Sequence, residues 1–106
     1  MAKYLVFASY SAEGVKGFQT EKGSGRRDAV RKALTAVGAK LDQFYFTFGD
    51  HDVAMVVDAP DNTSMMAISL SAAVSGTCRM STMPLITAEE ADAAIDKHMA
   101  YPGPHK

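Results

Sequence analysis

The sequence has little of two features that mark special classes of protein: cysteine and net charge. One cysteine, Cys78, occurs in 106 residues, so no disulfide can form within the chain and nothing requires an oxidising compartment. The chain has 11 basic and 12 acidic residues, for a net charge of -1. This balance disfavours a strongly basic nucleic-acid-binding domain.

Long apolar runs are also absent. The run at residues 4–8 is followed directly by the polar residues Ser9 and Ser11, whereas a signal peptide needs a longer apolar stretch and a cleavage site. No segment approaches the roughly 20 apolar residues that cross a bilayer. We therefore expect a cytoplasmic protein with neither nucleic acid nor membrane among its partners.

The composition that remains is that of a globular domain. Hydrophobic residues make up 47% of the chain and charged residues 22%. A domain of this length buries roughly 60–70% of the surface of its unfolded chain, which allows a core without disulfides or metals. We expect residues 1–100 to form one domain, and residues 101–106, which include two prolines and a glycine, to form a flexible tail.

Hydrophobic periodicity predicts the element order βαββαβ, followed by a terminal helix. The predicted strands cover residues 3–10, 40–48, 53–59 and 77–86, and the predicted helices cover residues 26–37, about 61–75 and a segment after a capping box at 87–90. This order predicts an α+β, ferredoxin-like sandwich, in which a four-stranded antiparallel sheet carries helices on one face.

Three expectations concern the helices. The glycine-bearing segment 19–25 predicts a polar connector, after a short helical turn capped by Ser11. The second predicted helix has an apolar stripe that we expect to face the core, formed by Met66, Leu70, Ala73 and Val74. The terminal helix is expected to bury Ala91, Ala94, Ile95 and His98.

Both faces of the predicted sheet are apolar. In the first strand Leu5 and Phe7 point one way, while Tyr4, Val6, Ala8 and Tyr10 point the other. In the second strand, alternation groups Leu41, Tyr45 and Thr47 against Phe44, Phe46 and Phe48. Helices can cover only one face, and the other is a larger apolar patch than soluble monomers expose. We expect a homodimer or higher oligomer in which two sheets close a shared barrel; the alternative is that the C-terminal helix covers this face.

Several segments resemble the GYD-domain family, whose members are ferredoxin-like, dimeric α/β-barrel proteins of uncertain function. The resemblance extends over nearly the whole chain and rests on residues 3–10 (KYLVFASY), 12–17 (AEGVKG), 26–30 (RRDAV), 44–52 (FYFTFGDHD), 60–62 (PDN) and 81–87 (STMPLIT). His51 stands where the family signature commonly has tyrosine. The architecture is similar to barrels that include small monooxygenases, lactone isomerases and haem-degrading enzymes, a likeness that does not assign chemistry.

The densest polar cluster is Asp50-His51-Asp52. A histidine between carboxylates can act as an acid or base or can ligate a metal. In an extended chain His51 points away from Asp50 and Asp52, so this motif does not form a three-ligand metal site. The alternative is a hairpin turn whose aspartates bond nearby backbone N–H groups.

A second candidate site combines Tyr10, Tyr45 and Arg79 with His51 and Asp52. Tyr10, Tyr45 and Arg79 lie on three predicted strands, where they can line a pocket and orient an anionic or carbonyl-bearing ligand. In the alternative, Arg79 pairs with a carboxylate, either one such as Asp58 or one across the dimer, and Tyr45 belongs to the core.

The leading functional prediction is a homodimer that binds a small, partly apolar molecule in or beside its barrel, with no cofactor. The first alternative is a cofactor-free monooxygenase or isomerase; the second is an interaction module with a filled interior. Catalytic residues stay unassigned, and Cys78 is expected to be an inert thiol. A cavity that reaches Tyr45 or Arg79 would favour ligand binding.

Overall fold

The computed structural model describes residues 1–104 and has seven elements of secondary structure in that range. They are β1 (Ala2–Tyr10), α1 (Ala12–Ala36), β2 (Lys40–Phe46), β3 (Val53–Ala59), α2 (Asn62–Ser75), β4 (Cys78–Leu85) and α3 (Ala88–Asp96). The four strands form one antiparallel sheet in the order β2-β3-β1-β4. This α+β arrangement is compatible with a ferredoxin-like fold and confirms the predicted element order. Positions 105–106 of the expected tail lie outside the described residues.

The core lies between the sheet and the two longer helices. Strand β1 is central and pairs with both β3 and β4, so its inward side chains set the core layer. The buried side chains are Tyr4, Val6, Ala8, Leu34, Ala39, Leu41, Val53, Met55, Val57, Ala59 and Met65. Within this set the strand residues follow strict alternation, as expected for a sheet with helices on one face.

A bulge in β2 corrects the predicted alternation of that strand. The β2–β3 register shifts between Leu41 and Gln43, which inserts one extra residue on β2. Because side chains alternate with a period of two, one extra residue exchanges the two faces beyond it. Leu41 and Phe44 therefore both contribute to the core, whereas Tyr45 is 61% exposed. Grouping Leu41 with Tyr45 on one face was wrong.

Helix α1 is longer than predicted. Its N-cap Ser11 accepts a hydrogen bond from the Gly14 N–H, and the helix then runs to Ala36 with a kink at Lys22 (φ 64°, ψ 177°). The predicted connector over residues 19–25 was wrong, since these residues are helical on both sides of Lys22. An ion pair between Glu21 and Arg26, 3.1 Å long, spans the kink. Packing on the sheet thus overrides the low helix propensity of the glycines.

Helix α2 turns a different side toward the sheet than predicted. Met65 is buried and Ile68 packs against the core, whereas Met66, Leu70 and Val74 are 60%, 57% and 87% exposed. The predicted inward stripe therefore lies on the outer surface. Residues 62–78 contain no charged side chain, so the helix has no polar face from which periodicity could identify the buried side.

Helix α3 extends away from the rest of the chain. The capping box predicted at Thr87 and Glu90 is present, with both side-chain-to-backbone hydrogen bonds formed. Every residue of α3 is exposed, and so is His98 just beyond its end, so the expected burial of Ala91, Ala94, Ile95 and His98 was wrong within this chain. The described residues measure 57 × 34 × 23 Å, and their radius of gyration is 17.1 Å. A compact chain of this length has about 13 Å.

Candidate functional site

A cleft of about 660 Å³ separates α1 from α2 above the sheet. Its floor is apolar and includes Ala8, Val53, Met55 and Met80. The volume falls within the roughly 300–1,000 Å³ of small-molecule sites. The helix-covered side of the sheet is therefore incompletely filled by its own helices.

Small side chains on both helices account for this cleft. The small residues that line it are Gly14, Gly17, Ala33 and Ala36 from α1, and Ala67, Ser71, Ala72 and Ser75 from α2. Large side chains at these positions would interdigitate over the sheet, as they do in a filled core. The spacing of Gly14 to Gly17 and of Ala33 to Ala36 is a sequence signal that could have identified this lining.

Gly14 also fixes how closely α1 approaches β4. A Cβ atom at Gly14 would lie 2.1 Å from the backbone oxygen of Thr77. The Ser11 hydroxyl donates to the backbone oxygen of Gly76 at 2.6 Å, and the Ser11 N–H donates to that of Thr77 at 2.9 Å. One end of the cleft is therefore closed by backbone contacts.

The polar groups of the cleft lie near that closed end. Tyr10 and Cys78 are cross-strand partners in the β1–β4 register, and both line the cleft. Arg26 lines it as well and pairs with Glu21. The Tyr10 ring lies 6.0 Å from that of Phe18. The cleft thus combines a mostly apolar surface with one polar end.

The Tyr10 hydroxyl is a hydrogen-bond donor at neutral pH, because a phenol with an ordinary pKa is already protonated there. Desolvation raises the pKa of Tyr10 further, to about 12, against the opposing influence of the Arg26 charge. Burial therefore adds to the preference for the neutral phenol. Desolvation also raises the pKa of the Cys78 thiol, which keeps the thiolate scarce and makes Cys78 a poor nucleophile.

Within residues 1–104, no helix covers the opposite face of the sheet, which we call the open face. Its central rows join Phe7 to Ala54 and Leu5 to both Val56 and Met83. At one end Lys3 forms ion pairs with Asp42 at 3.1 Å and with Asp58 at 2.9 Å. The open face is thus an apolar surface with a charged cluster at one end.

Arg79 lies at the other end of the open face. It is exposed and stands opposite Ser9 in the β1–β4 register. Asp58, the partner considered for it, lies in the row of Lys3 and is paired with that lysine. Tyr45 is on the same face, opposite Ala54.

The turn containing His51 and Asp52 is tied to β1 by hydrogen bonds. The Asp52 carboxylate accepts from the Tyr10 N–H at 2.7 Å, and the Asp52 N–H donates to the Ala8 carbonyl at 2.8 Å. The His51 ring stacks on Phe7 with a centroid distance of 4.7 Å. Asp52 therefore orders the backbone, and His51 covers one end of the open face.

The candidate site residues consequently divide between the two faces. Tyr10 lines the cleft, whereas His51, Tyr45 and Arg79 lie on the open side, and neither Tyr45 nor Arg79 lines the cleft. Sequence reasoning missed Glu21 and Arg26 as site residues: Glu21 was assigned to the connector at 19–25, and Arg26 was assigned to the first position of a predicted helix without a site role. The kinked α1 brings both of them near Tyr10.

Two further observations apply to residues 1–104. No group of three or more His, Cys, Asp or Glu side chains in this range is placed to hold a metal ion. In the same range, none of the helices combines the length and the apolar character needed to span a bilayer.

The chain matches a known protein family. A family model described as GYD domain matches residues 4–95. The matched region runs from β1 almost to the end of α3 and contains the cleft and the open face. The comparison with curated proteins found no match.

Proposed function

This chain belongs to the GYD-domain family, and we propose that it acts as a homodimer that binds a small, mostly apolar molecule in the cleft between α1 and α2. The observation that carries this proposal is the cleft itself, with about 660 Å³ of space above an apolar floor. Filling such a cleft removes apolar surface from water at roughly 25 cal/mol per Å². A cytoplasmic location is part of the same proposal, on the grounds of cysteine content.

The polar end of the cleft favours a neutral ligand. Glu13, Glu21 and Arg26 line the cleft, and Arg26 is already paired with Glu21. An anionic ligand would have to compete with one carboxylate and approach another, which is unfavourable at close range. The protonated Tyr10 hydroxyl instead offers a donor to an uncharged acceptor, such as a carbonyl oxygen.

The open face supports the homodimer. Leu5, Phe7 and Val56 form a continuous apolar surface, which Tyr45 and Met83 extend across the neighbouring strands. Single chains rarely leave such a patch in water, and a two-fold partner covers it with the same patch. We propose that two open faces stack to close a dimeric α/β barrel, with the ligand clefts outside its interior.

Two uncharged fluorescent probes test ligand binding. One is a naphthyl ketone, 6-propionyl-2-(dimethylamino)naphthalene, and the other is N-phenyl-1-naphthylamine, which has no carbonyl group. Tryptophan fluorescence does not interfere with the probe signal, because the chain contains no Trp. We expect both probes to bind and to shift their emission to the blue.

A matched pair on α2 locates the bound probe. Ala72 lines the cleft, whereas its neighbour Ala73 is exposed and outside the lining. Ala72→Phe should weaken both probes about tenfold or more, a loss of roughly 1.4 kcal/mol, while Ala73→Phe should leave binding unchanged. Equal binding by both variants would contradict the proposed cleft.

Tyr10→Phe tests the ligand class. Loss of one hydrogen bond of about 1 kcal/mol should weaken the ketone roughly fivefold. Binding of N-phenyl-1-naphthylamine should not change, which separates the hydrogen bond from the shape of the cleft. If the ketone binds equally well without the hydroxyl, the carbonyl assignment is wrong even though the cleft still binds apolar molecules.

Native mass spectrometry and light scattering test the homodimer. The chain mass is 11.3 kDa, so the proposed dimer has twice that mass. Native mass spectra of protein purified from its source would also show the added mass of a ligand that stays bound. A stable, folded monomer at micromolar concentration would rule out the barrel.

A further inference from the structure

Helix α2 exposes apolar side chains that the proposed barrel does not cover. Met66, Leu70 and Val74, which we call the α2 stripe, recur every four residues on the outer surface of the helix layer. The open face is on the other side of the sheet, so stacking open faces leaves the stripe in water. Helix α2 has no charged side chain on any side, and such a helix is normally buried more completely than α2 is here.

The C-terminal segment has the complementary property. Residues 86–101, which we call the arm, contain α3 and expose Ile86, Ile95, Met99 and Tyr101. A nine-residue helix is marginal in water unless a tertiary partner covers its apolar side. The arm therefore requires a partner, which residues 1–104 of its own chain do not provide.

The arm begins beside the start of α2. The Tyr4 hydroxyl donates to the Asn62 side chain in the first turn of α2, and Tyr4 stands opposite Pro84 in the β1–β4 register. A groove of about 270 Å³ between α2 and β4 is lined by Pro84 and by Met66 of the stripe. The arm leaves its own chain beside the groove between α2 and β4. The arm of a second copy can therefore enter this groove.

Charge also favours contact between the arm and a second helix layer. The arm carries Glu89, Glu90, Asp92 and Asp96 against one basic residue, Lys97. Helix α1, which flanks α2 across the cleft, carries six basic and three acidic residues. An acidic arm laid on the uncharged α2 therefore comes near a basic neighbour, and the arms of two copies repel each other.

We propose that the arm of one copy lies along the α2 stripe of a second copy, so that Ile95 packs against Leu70. In a two-fold arrangement the exchange is reciprocal, because each copy offers one arm and one stripe. The occupant of this surface is thus a second copy of the chain, held by a helix in an apolar groove. This interface is separate from the stacking of open faces.

Disulfide trapping between differently substituted chains tests the exchange. In a Cys78→Ser background, one preparation carries Leu70→Cys and the other carries Ile95→Cys. After mixing and mild oxidation we expect a crosslinked heterodimer on a non-reducing gel. The control is Ala93→Cys, which lies about 200° around α3 from Ile95 and should lose the crosslink to Leu70→Cys.

The doubly substituted chain distinguishes exchange from folding back. If Leu70→Cys and Ile95→Cys in one chain form only an intramolecular disulfide, and the mixed chains do not crosslink, the arm folds onto its own α2 and the proposal is wrong. Absence of any crosslink while the protein remains oligomeric would overturn it as well.

Charge substitution gives an independent readout. Leu70 and Ile95 are both exposed, so Leu70→Glu and Ile95→Glu should preserve the circular dichroism of the core. Each should make the arm sensitive to limited proteolysis, whereas Ala93→Glu should leave it protected. Equal cleavage of all three variants and the unmodified protein would contradict arm exchange.

Discussion

The two faces of the sheet are made by the same strands and are similarly apolar, yet their packing is opposite. The helix-covered face buries its strand side chains but leaves a cleft above them, because both helices present small residues. The open face is continuous, and no element of the described part of the chain covers it. The apolar character of a sheet face alone therefore does not predict whether that face becomes core, ligand site or interface.

Two neighbouring valines on β3 test the difference between the helix-covered face and the open face. Val57 is fully buried, whereas Val56 lies on the open face. Val57→Asp should destabilise the fold by about 4 kcal/mol or more, because it buries a charge without a partner. Val56→Asp should leave a folded chain but lower its oligomeric mass. Urea unfolding and light scattering measure the two effects, and similar effects of both substitutions would contradict the two-face distinction.

Two glycines of α1 probe the helix-covered side. A Cβ atom at Gly14 meets the Thr77 oxygen at 2.1 Å, so Gly14→Ala should cost about 2–3 kcal/mol by forcing α1 away from β4. At Gly17 the nearest atom is the end of the Glu21 side chain at 3.8 Å. Gly17→Ala should therefore be neutral or stabilising in thermal unfolding, and a loss as large as that of Gly14→Ala would argue against the close contact.

At the kink in α1 we expect a substitution that stabilises the fold, in contrast to the loss of stability expected at Gly14. Lys22 has φ 64° and ψ 177°, a region that essentially only glycine occupies without strain. Lys22→Gly should stabilise the protein by about 1 kcal/mol, whereas Lys32→Gly, at a regular helical position, should destabilise it by a similar amount. Chemical denaturation measures both, and destabilisation by Lys22→Gly would mean that the kink is not strained.

Alkaline pH should give the smallest effect. Burial holds the folded-state pKa of Tyr10 at about 12, above its ordinary value of 10.0, so the fold favours the neutral phenol. This contribution is fully present below about pH 10 and is lost as the pH rises toward 12. Tyr10→Phe should reduce the alkaline decline in melting temperature, and an unchanged decline would show that Tyr10 is not its source.

Local sequence rules predicted much of the fold. The third strand, the capping box at Thr87 and the apolar character of both sheet faces followed from alternation, capping chemistry and composition. The β2 bulge and the buried side of α2 did not follow. One extra residue in β2 moves all later side chains of the strand to the opposite face of the sheet, and no compositional signal marks it. Helix α2 has no charged side from which its buried side could be predicted.

The candidate site was predictable only in part. Tyr10 was identified as a pocket residue on a strand, and it does line the cleft. Its neighbours Glu21 and Arg26 could not be inferred, because they lie on opposite sides of a non-helical break at Lys22 whose geometry local sequence rules do not give. Asp52 was among the polar candidates from the sequence. Its hydrogen bond with the Tyr10 N–H could not be predicted, because the two residues are 42 positions apart in the sequence and meet only when the chain folds.

The element order, the absence of an internal disulfide and an apolar surplus that one chain does not bury can all be predicted from the amino-acid sequence. These depend on composition and short-range periodicity, which survive in any arrangement of the elements. The location of that surplus follows only from how the chain packs: in a cleft under small helix residues, on the open face, on the α2 stripe and along the arm. The reason is that burial is a relation between distant residues, set by how closely helices approach the sheet.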